Sequence, residues 1–303
     1  MSQEPYLLET NLDGKLPLIA RGKVRDIYQV NDSQLLFVAT DRISAYDVVM
    51  NNGIPNKGKL LTKLSEFWFE FFKDDVKNHL SHITLQQGLT KEIQQPKYLQ
   101  QLVDRSLIVN KYKLVPLEVI VRGYLTGSAW SEYKKHGTVH GTKYPPGFQE
   151  SHEFESPIFT PSTKAENGQH DENISIEKAI KIVGSKKIVD DLIQIAILLY
   201  KKAKDYAKTK NIIIADTKFE FGLDDENNLV LVDEVLTPDS SRFWNLSTYK
   251  LGQGQDSYDK QFLRNWLTDN KLRAKENVTI PDEIVTKTMA KYVEAYEALT
   301  GDK

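Results

Sequence analysis

Two neighbouring apolar segments, Ile212 to Gly222 and Leu229 to Val235, each carry acidic residues to a strand end, and this pair constrains the fold more than any other stretch. Side chains alternate along an extended strand, so Asp216, Lys218 and Glu220 share one face while Thr217, Phe219 and Phe221 pack on the other. The polar segment Asp224 to Asn228 reads as a turn, which returns Leu229 to Val232 antiparallel and brings Asp233 and Glu234 towards Glu220. Carboxylates on adjacent strands suit Mg²⁺, which takes a few hard oxygen ligands together with substrate phosphates. The same spacing also fits an exposed hairpin edge laced by ion pairs.

Immediately afterwards, Thr237-Pro238-Asp239-Ser240-Ser241-Arg242-Phe243-Trp244 places an acid, two hydroxyls and an arginine in what reads as a turn-rich loop. An arginine there can grip a phosphate or carboxylate in two-pronged fashion. The alternative is an Asp239–Arg242 pair that only pins the loop.

Composition excludes several classes of function. A chain of 303 residues can bury a substantial core as one large domain or two intimate lobes. Charged residues make up 27% but the formal net charge is only -2, so no overall field favours nucleic acid or a membrane surface. The absence of cysteine removes disulfides and thiolate chemistry, leaving oxygen or histidine for any metal. The start, Met1-Ser2-Gln3-Glu4-Pro5, lacks the regions of a signal peptide, and no apolar run is long enough to span a bilayer. A cytoplasmic protein is expected.

The remaining pattern alternates strands, loops and helices, without repeats. Val24 to Val30 and Leu35 to Thr40 read as a hairpin around Asn31-Asp32-Ser33. Leu61, Leu64, Trp68, Phe71 and Phe72 lie at helical spacing, followed by a polar, irregular segment to Lys97. Leu107 to Asn110 and Leu117 to Val121 are strand-like, and Pro116 between them marks a boundary between lobes 1–115 and 116–303. Gly141 to Asn173 reads as a long loop. Leu192, Ile195, Ala196, Leu199, Ala203 and Tyr206 define the buried face of a helix. Two later helices are expected from Tyr258, Phe262, Trp266 and from Val285, Met289, Tyr292, Val293, Tyr296.

Two glycine-containing stretches are candidates for phosphate. In Ala20-Arg21-Gly22-Lys23-Val24-Arg25-Asp26 a glycine beside basic residues precedes the first hairpin and can drape over a nucleotide triphosphate, although it matches neither common phosphate-loop signature. In Arg122-Gly123-Tyr124-Leu125-Thr126-Gly127-Ser128 the glycines permit close backbone approach, and a helix beginning near Ala129 would favour an anion. A solvated basic turn and an ordinary strand-to-helix connection remain the plain alternatives.

Taken in order, Arg21 to Tyr28, Ala39 to Asp47, Val119 to Ser128, Asp216 to Gly222 and Asp233 to Arg242 closely resemble the SAICAR synthetases, in their single-function fungal form. The resemblance spans nearly the whole chain and is weakest at Ser81 to Gln101 and after Lys271. It implies an α+β, two-lobed fold: a β-rich N-terminal lobe like that of protein kinases or ATP-grasp enzymes, then a larger α/β lobe with antiparallel sheet and flanking helices. It also implies the joining of L-aspartate to the carboxylate of CAIR, with ATP converted to ADP and phosphate, in purine synthesis.

The resemblance distributes roles over the residues already singled out. Glu220 and Asp233 would hold Mg²⁺, while Gly22, Lys23, Val24 and Arg25 would cover the ATP phosphates. The stretch Lys111 to Glu118, with Lys111, Leu114 and Glu118 as its named contacts, would form the adenine and ribose edge. Lys218 would stabilise charge at the transferred group, with Asp216 near the reacting end. CAIR would lie near Arg122, Ser128, Asp239 and Arg242. Ser44, Asp47, Lys164 and His170 are the candidates for aspartate, although an isolated loop histidine such as His170 is more often a hydrogen-bonding surface residue. The partners are small molecules alone, with no obligate protein partner, and a monomer is compatible with this reading. Two other functions fit parts of the pattern. A different ATP-dependent kinase or ligase leaves the Arg122 and Arg242 segments unexplained, and a non-enzymatic nucleotide sensor has no need of Lys218, Glu220 and Asp233 together.

Overall fold

The computed structural model describes residues 6–164 and 172–302. Five strands open the chain: β1 (Leu18–Arg21), β2 (Arg25–Asn31), β3 (Gln34–Ala39), β4 (Arg42–Ala45) and β5 (Val48–Gly53). Helix α1 (Lys57–Phe71) leads to strand β6 (Lys77–Asn78) and the short helices α2 (Leu85–Gly88) and α3 (Pro96–Leu102). Strands β7 (Ser106–Asn110), β8 (Lys113–Leu114) and β9 (Leu117–Tyr124) then run into helix α4 (Gly127–His136). Strands β10 (Thr138–Val139), β11 (Thr142–Lys143) and β12 (Glu153–Thr163) precede helices α5 (Ile176–Val183) and α6 (Lys186–Thr209). Strands β13 (Ile212–Leu223), β14 (Leu229–Val232) and β15 (Ser241–Asn245) are followed by helices α7 (Gln261–Asp269) and α8 (Asp282–Thr300).

The fold is α+β. A four-stranded antiparallel sheet, ordered β1-β2-β3-β7, forms the N-terminal layer. A seven-stranded sheet, ordered β12-β9-β13-β14-β6 with β15 and β8 also on β13, forms the larger one. Its strands pair antiparallel except β14 with β6. One face of this sheet is apolar: Val119, Val121, Phe219 and Phe221 meet Leu192, Ala196, Leu199 and Tyr200 of α6 in the main core, together with Leu64, Trp68 and Phe69 of α1. Burying such side chains stabilises a fold by about 1.5–3 kcal/mol each, which fixes the opposite, polar face towards the cleft. A separate core joins Ile43, Ala45, Met50 and Ile54 of the β4–β5 region to Leu263 and Leu267 of α7 and Ile284 and Val285 of α8. Elements before residue 116 thus pack on both early and late parts of the chain.

The acid-bearing hairpin forms in the expected register, with Glu220 opposite Val232, so Asp233 emerges beside Glu220. The β2–β3 hairpin and the α1 and α6 stripes also take the expected form. Several expectations are corrected. The stretch Gly141 to Asn173 is no continuous loop, because β12 pairs with β9 from Thr163↔Leu117 to Ile158↔Arg122. Strand β12 contains two prolines: Pro157 falls at the register break, and Pro161 turns its carbonyl to Ile174 N–H on the edge away from β9. Those are the positions where a sheet tolerates proline. Ser241 to Trp244 is likewise strand rather than loop, with Phe243 and Trp244 buried against the core. Within Ala20 to Asp26 only 22–24 form a turn, since Ala20 and Arg21 belong to β1 and Arg25 and Asp26 to β2. The polar segment before Lys97 contains α2, closed by a Thr84–Gln87 capping box, and Tyr258 precedes α7 rather than starting it.

Candidate active site

The polar face of the large sheet floors a cleft of about 470 Å³. Gly22, Lys23, Val24 and Arg25 line it from the N-terminal sheet, and Ser44, Ala45, Tyr46 and Asp47 from the β4–β5 hairpin. Glu118, Lys164, Lys218, Glu220, Asp233, Glu234 and Asp239 line it from the larger sheet and its connections, and Lys260 and Arg264 from the start of α7.

Outside this lining, further along β13, Asp216 stands in register between two arginines on the neighbouring strands, Arg122 of β9 and Arg242 of β15. Cross-strand pairing therefore dictates their meeting. Arg122 Nη1 donates to Asp216 Oδ2 at 3.0 Å and Arg242 Nη1 donates to the same oxygen at 2.5 Å. Arg122 Nε donates to Thr160 Oγ1 at 3.1 Å, and its Nη2 lies 3.4 Å from the exposed Ser128 Oγ at the start of α4. Burial pulls the Arg122 pKa down against the pull of Asp216, whereas Asp216 raises that of Arg242. Gly127, at φ +60°, lies against Arg242, and a Cβ there would come 2.5 Å from the guanidinium. Two arginines share one carboxylate, so positive charge is left for a ligand anion.

In the middle of β13, Lys218 donates to Glu118 on β9. Burial lowers its pKa, and Glu118 and Glu220 outweigh that effect, so Lys218 stays an ammonium. At the far end Lys164 pairs with Glu220, and Arg25 crosses from β2 to pair with Asp233, with Glu234 3.9 Å away. Asp233 leaves β14 with φ 67°, a left-handed conformation that aspartate adopts more readily than most residues. Among the described residues no group of three or more His, Asp or Glu forms a closed metal cage. Glu220 and Asp233 nonetheless fit Mg²⁺, which is commonly held by one or two carboxylates plus phosphates and water. Each faces the cleft with a hard oxygen donor now held by a cation.

Asp239 sits apart from Arg242, which removes the loop-pinning pair. Its side chain is buried and accepts from Lys57 Nζ at 2.7 Å and Tyr292 Oη at 2.7 Å, with Lys260 Nζ at 3.5 Å. Burial raises its pKa, but Lys260 and Lys57 outweigh this and hold it low; burial lowers that of Lys260. Nearby, burial raises the Asp259 pKa, and Arg264 lies 3.9 Å from it. Three cations thus face two acids at this end of the cleft.

Of the nucleotide candidates, Glu118 lines the cleft, while Lys111 and Leu114 are exposed on the β7–β8 side and outside its lining. Lys23 pairs with Asp47 at 2.5 Å, tying the basic turn to the β4–β5 tip. His170 lies outside the described residues. Sequence reasoning missed Lys57, Lys260 and Arg264; the Lys260–Arg264 spacing of four, which places both on one helix face, was the available signal.

Comparisons with known proteins bear on the chain as a whole. The family model for SAICAR synthetase matches residues 18–281. The phosphoribosylaminoimidazole-succinocarboxamide synthase of Cyberlindnera jadinii is 65% identical over 298 residues, covering 98% of this chain and 99% of the relative. The structure of SAICAR synthase from Saccharomyces cerevisiae complexed with SAICAR superposes with a TM-score of 0.92 at 62% identity, covering 98% of this chain and 99% of the other. A SAICAR synthetase in complex with ADP matches at a TM-score of 0.69 and 26% identity, covering 94% and 98%. The chain belongs to the SAICAR synthetase family.

Proposed function

We propose that the cleft works as a linear assembly along β13, with MgATP at the Glu220 and Asp233 end and CAIR anchored at the Asp216 end. The reaction is that of the family: L-aspartate is joined to the carboxylate of CAIR to give SAICAR, ADP and phosphate. The observation that carries the division is the row Asp216, Lys218, Glu220 on one face of one strand, of which Lys218 and Glu220 line the cleft and Asp216 stands buried beyond it. Asp216 and Glu220 stand roughly 13 Å apart along an extended strand, with Lys218 midway. Lobes 1–115 and 116–303 close the cleft from its two sides.

A carboxylate is a poor acyl donor because oxide would have to leave. The CAIR carboxylate oxygen therefore attacks the γ-phosphorus of ATP, forming an acyl phosphate as the bond to ADP breaks. The aspartate amine then attacks the acyl carbon, phosphate departs and the amine proton is lost to give the amide. The residues act chiefly by positioning and charge neutralisation. Glu220 and Asp233 would hold Mg²⁺, which would supply positive charge to offset that of the ATP phosphates. The 22–25 turn covers those phosphates, Arg25 exchanging Asp233 for phosphate oxygen. Glu118 approaches the nucleotide from β9, and Lys111 and Leu114 belong to the outer rim of the adenine side. Lys218 neutralises charge where the phosphoryl group moves.

Arg122, Ser128 and Arg242 bind the anionic groups of CAIR, with Asp216 holding both guanidinium groups in place. Asp239 serves the same end indirectly by fixing Lys57 and Lys260. Aspartate, which brings two carboxylates, is taken up between Ser44, Asp47 and Lys164 with Lys260 and Arg264 opposite, while His170 is a further candidate for its proton. A cytoplasmic location accords with this chemistry. A direct test omits each of ATP, CAIR and aspartate in turn while following ADP release and identifying the product by mass. CAIR bearing ¹⁸O in both carboxylate oxygens should pass one label to inorganic phosphate. Phosphate without label would exclude the acyl phosphate.

A further inference from the structure

Behind the Arg122–Asp216 pair the sheet comes apart. The β9–β13 ladder runs from Phe219↔Val119 to Asp216↔Arg122 and ends there. On the other edge of β13 the register to β15 shifts between Ile214 and Asp216, opposite the consecutive residues Phe243 and Arg242. Ala215 is thus the extra residue of a β-bulge placed directly before Asp216. Bulges re-aim the adjoining side chain, and they leave backbone groups that need partners.

One side chain supplies that partner. Tyr200, fully buried on the sheet-facing side of α6, donates its hydroxyl to Ile214 O at 2.6 Å and lies 3.4 Å from Ala215 O. The same hydroxyl presses on β9: a Cβ added at Gly123 would stand 2.0 Å from Tyr200 Oη. Gly123 is the residue after Arg122, and Ala215 the residue before Asp216. A single hydroxyl therefore occupies the split between the strands, in contact with the backbone neighbour of each member of the ion pair.

We propose that Tyr200 is a positioning residue for the CAIR anchor, its hydroxyl holding the Ala215 bulge and the β9–β13 split at the width that sets Asp216 between Arg122 and Arg242. The inference rests on the reading of that triad as the CAIR anchor. A phenyl ring alone would fill the same core volume, so packing does not account for the hydroxyl; a bulge carbonyl that must be held in one place does.

Tyr200→Phe separates the two roles, because it keeps the ring and removes only the hydroxyl. The expected result is a rise of about tenfold in KM for CAIR, the scale of one hydrogen bond, with KM for ATP unchanged. Gly123→Ala, which pushes on the hydroxyl from the other strand, should give the same signature and guards against a folding defect peculiar to one variant. Arg242→Lys serves as the reference for the anchor itself. Unchanged KM for CAIR in Tyr200→Phe, or equal rises for CAIR and ATP, with Arg242→Lys raising KM for CAIR, overturns the role of Tyr200 alone. If Arg242→Lys also leaves KM for CAIR unchanged, the anchor reading fails and the inference falls with it.

Discussion

Arg25 and Asp233, 208 residues apart in sequence, form an ion pair across the cleft, joining the second strand of the N-terminal sheet to the end of the acid-bearing hairpin. The pair links a proposed phosphate ligand to a proposed metal ligand, so both exchange partners when MgATP enters. Asp233→Asn keeps the shape and removes the charge. Turnover should fall by at least about 100-fold, the scale for loss of a charge-stabilising group. The melting temperature should stay within a few degrees, because the side chain is partly exposed. Activity near the parent level at saturating Mg²⁺ would remove Asp233 from the metal site.

The contact between Gly127 and Arg242 yields a prediction remote from any charge change. Gly127→Ala puts a methyl 2.5 Å from the guanidinium at a positive φ, so the guanidinium that Asp216 holds must give way and the hydrogen bond between them is disturbed. KM for CAIR should rise by roughly 10–100-fold, matching the loss of a charged hydrogen bond, with KM for ATP unaffected. Steady-state kinetics with each substrate varied in turn would show it.

The Asp239 cluster is a stability element as well as part of the cleft wall. Asp239→Asn leaves Lys57 and Lys260 buried without their carboxylate, and breaking a buried pair costs about 3–5 kcal/mol. Chemical denaturation should show a loss of that order. Because the cluster holds the Asp239 pKa low, its contribution is present above the unfolded carboxylate value and fades as pH drops through the folded one.

His79 gives the fold a second acid sensitivity. Its ring lies between Phe37 and Phe69, and burial, aided by Arg25, lowers its pKa from 6.5 to about 3. The fold holds the imidazole neutral while the unfolded chain protonates it. Its contribution is complete above the unfolded value and is lost as pH falls from about 6.5 towards about 3, by at most about 1.4 kcal/mol per pH unit. His79→Phe should flatten the pH dependence of unfolding between pH 6.5 and 4. An identical slope in the variant would assign the acid sensitivity elsewhere.

The legible parts of the sequence were those where local pattern and tertiary role agree. Alternation in Asp216 to Phe221 fixed which face met the cleft, and the turn at Asp224 to Asn228 fixed the return of β14. Strand β12 was hidden because Pro157 and Pro161 are breakers anywhere except at the edge position and register break they occupy. Strand β15 was hidden by the polar run Ser240-Ser241-Arg242, although it is this pairing that brings Arg242 to Asp216. Lys57 and Lys260 come from the starts of two different helices, and their convergence on Asp239 is tertiary; only the Lys260–Arg264 spacing left a local sign. The Tyr200 contact was invisible for the same reason: an aromatic residue on a helix's buried face reads as core until its hydroxyl is placed against a bulge.

Strand β13 separates two binding sites in this account, and equilibrium titration of Asp216→Asn and Asp233→Asn with SAICAR and with MgADP would show whether it does. Asp216→Asn should weaken SAICAR by about tenfold or more and leave MgADP unchanged, and Asp233→Asn should do the reverse, as expected for charge-assisted contacts made by one ligand only. Loss of both ligands in either variant, or the opposite pairing of variant and ligand, would contradict the division of the cleft.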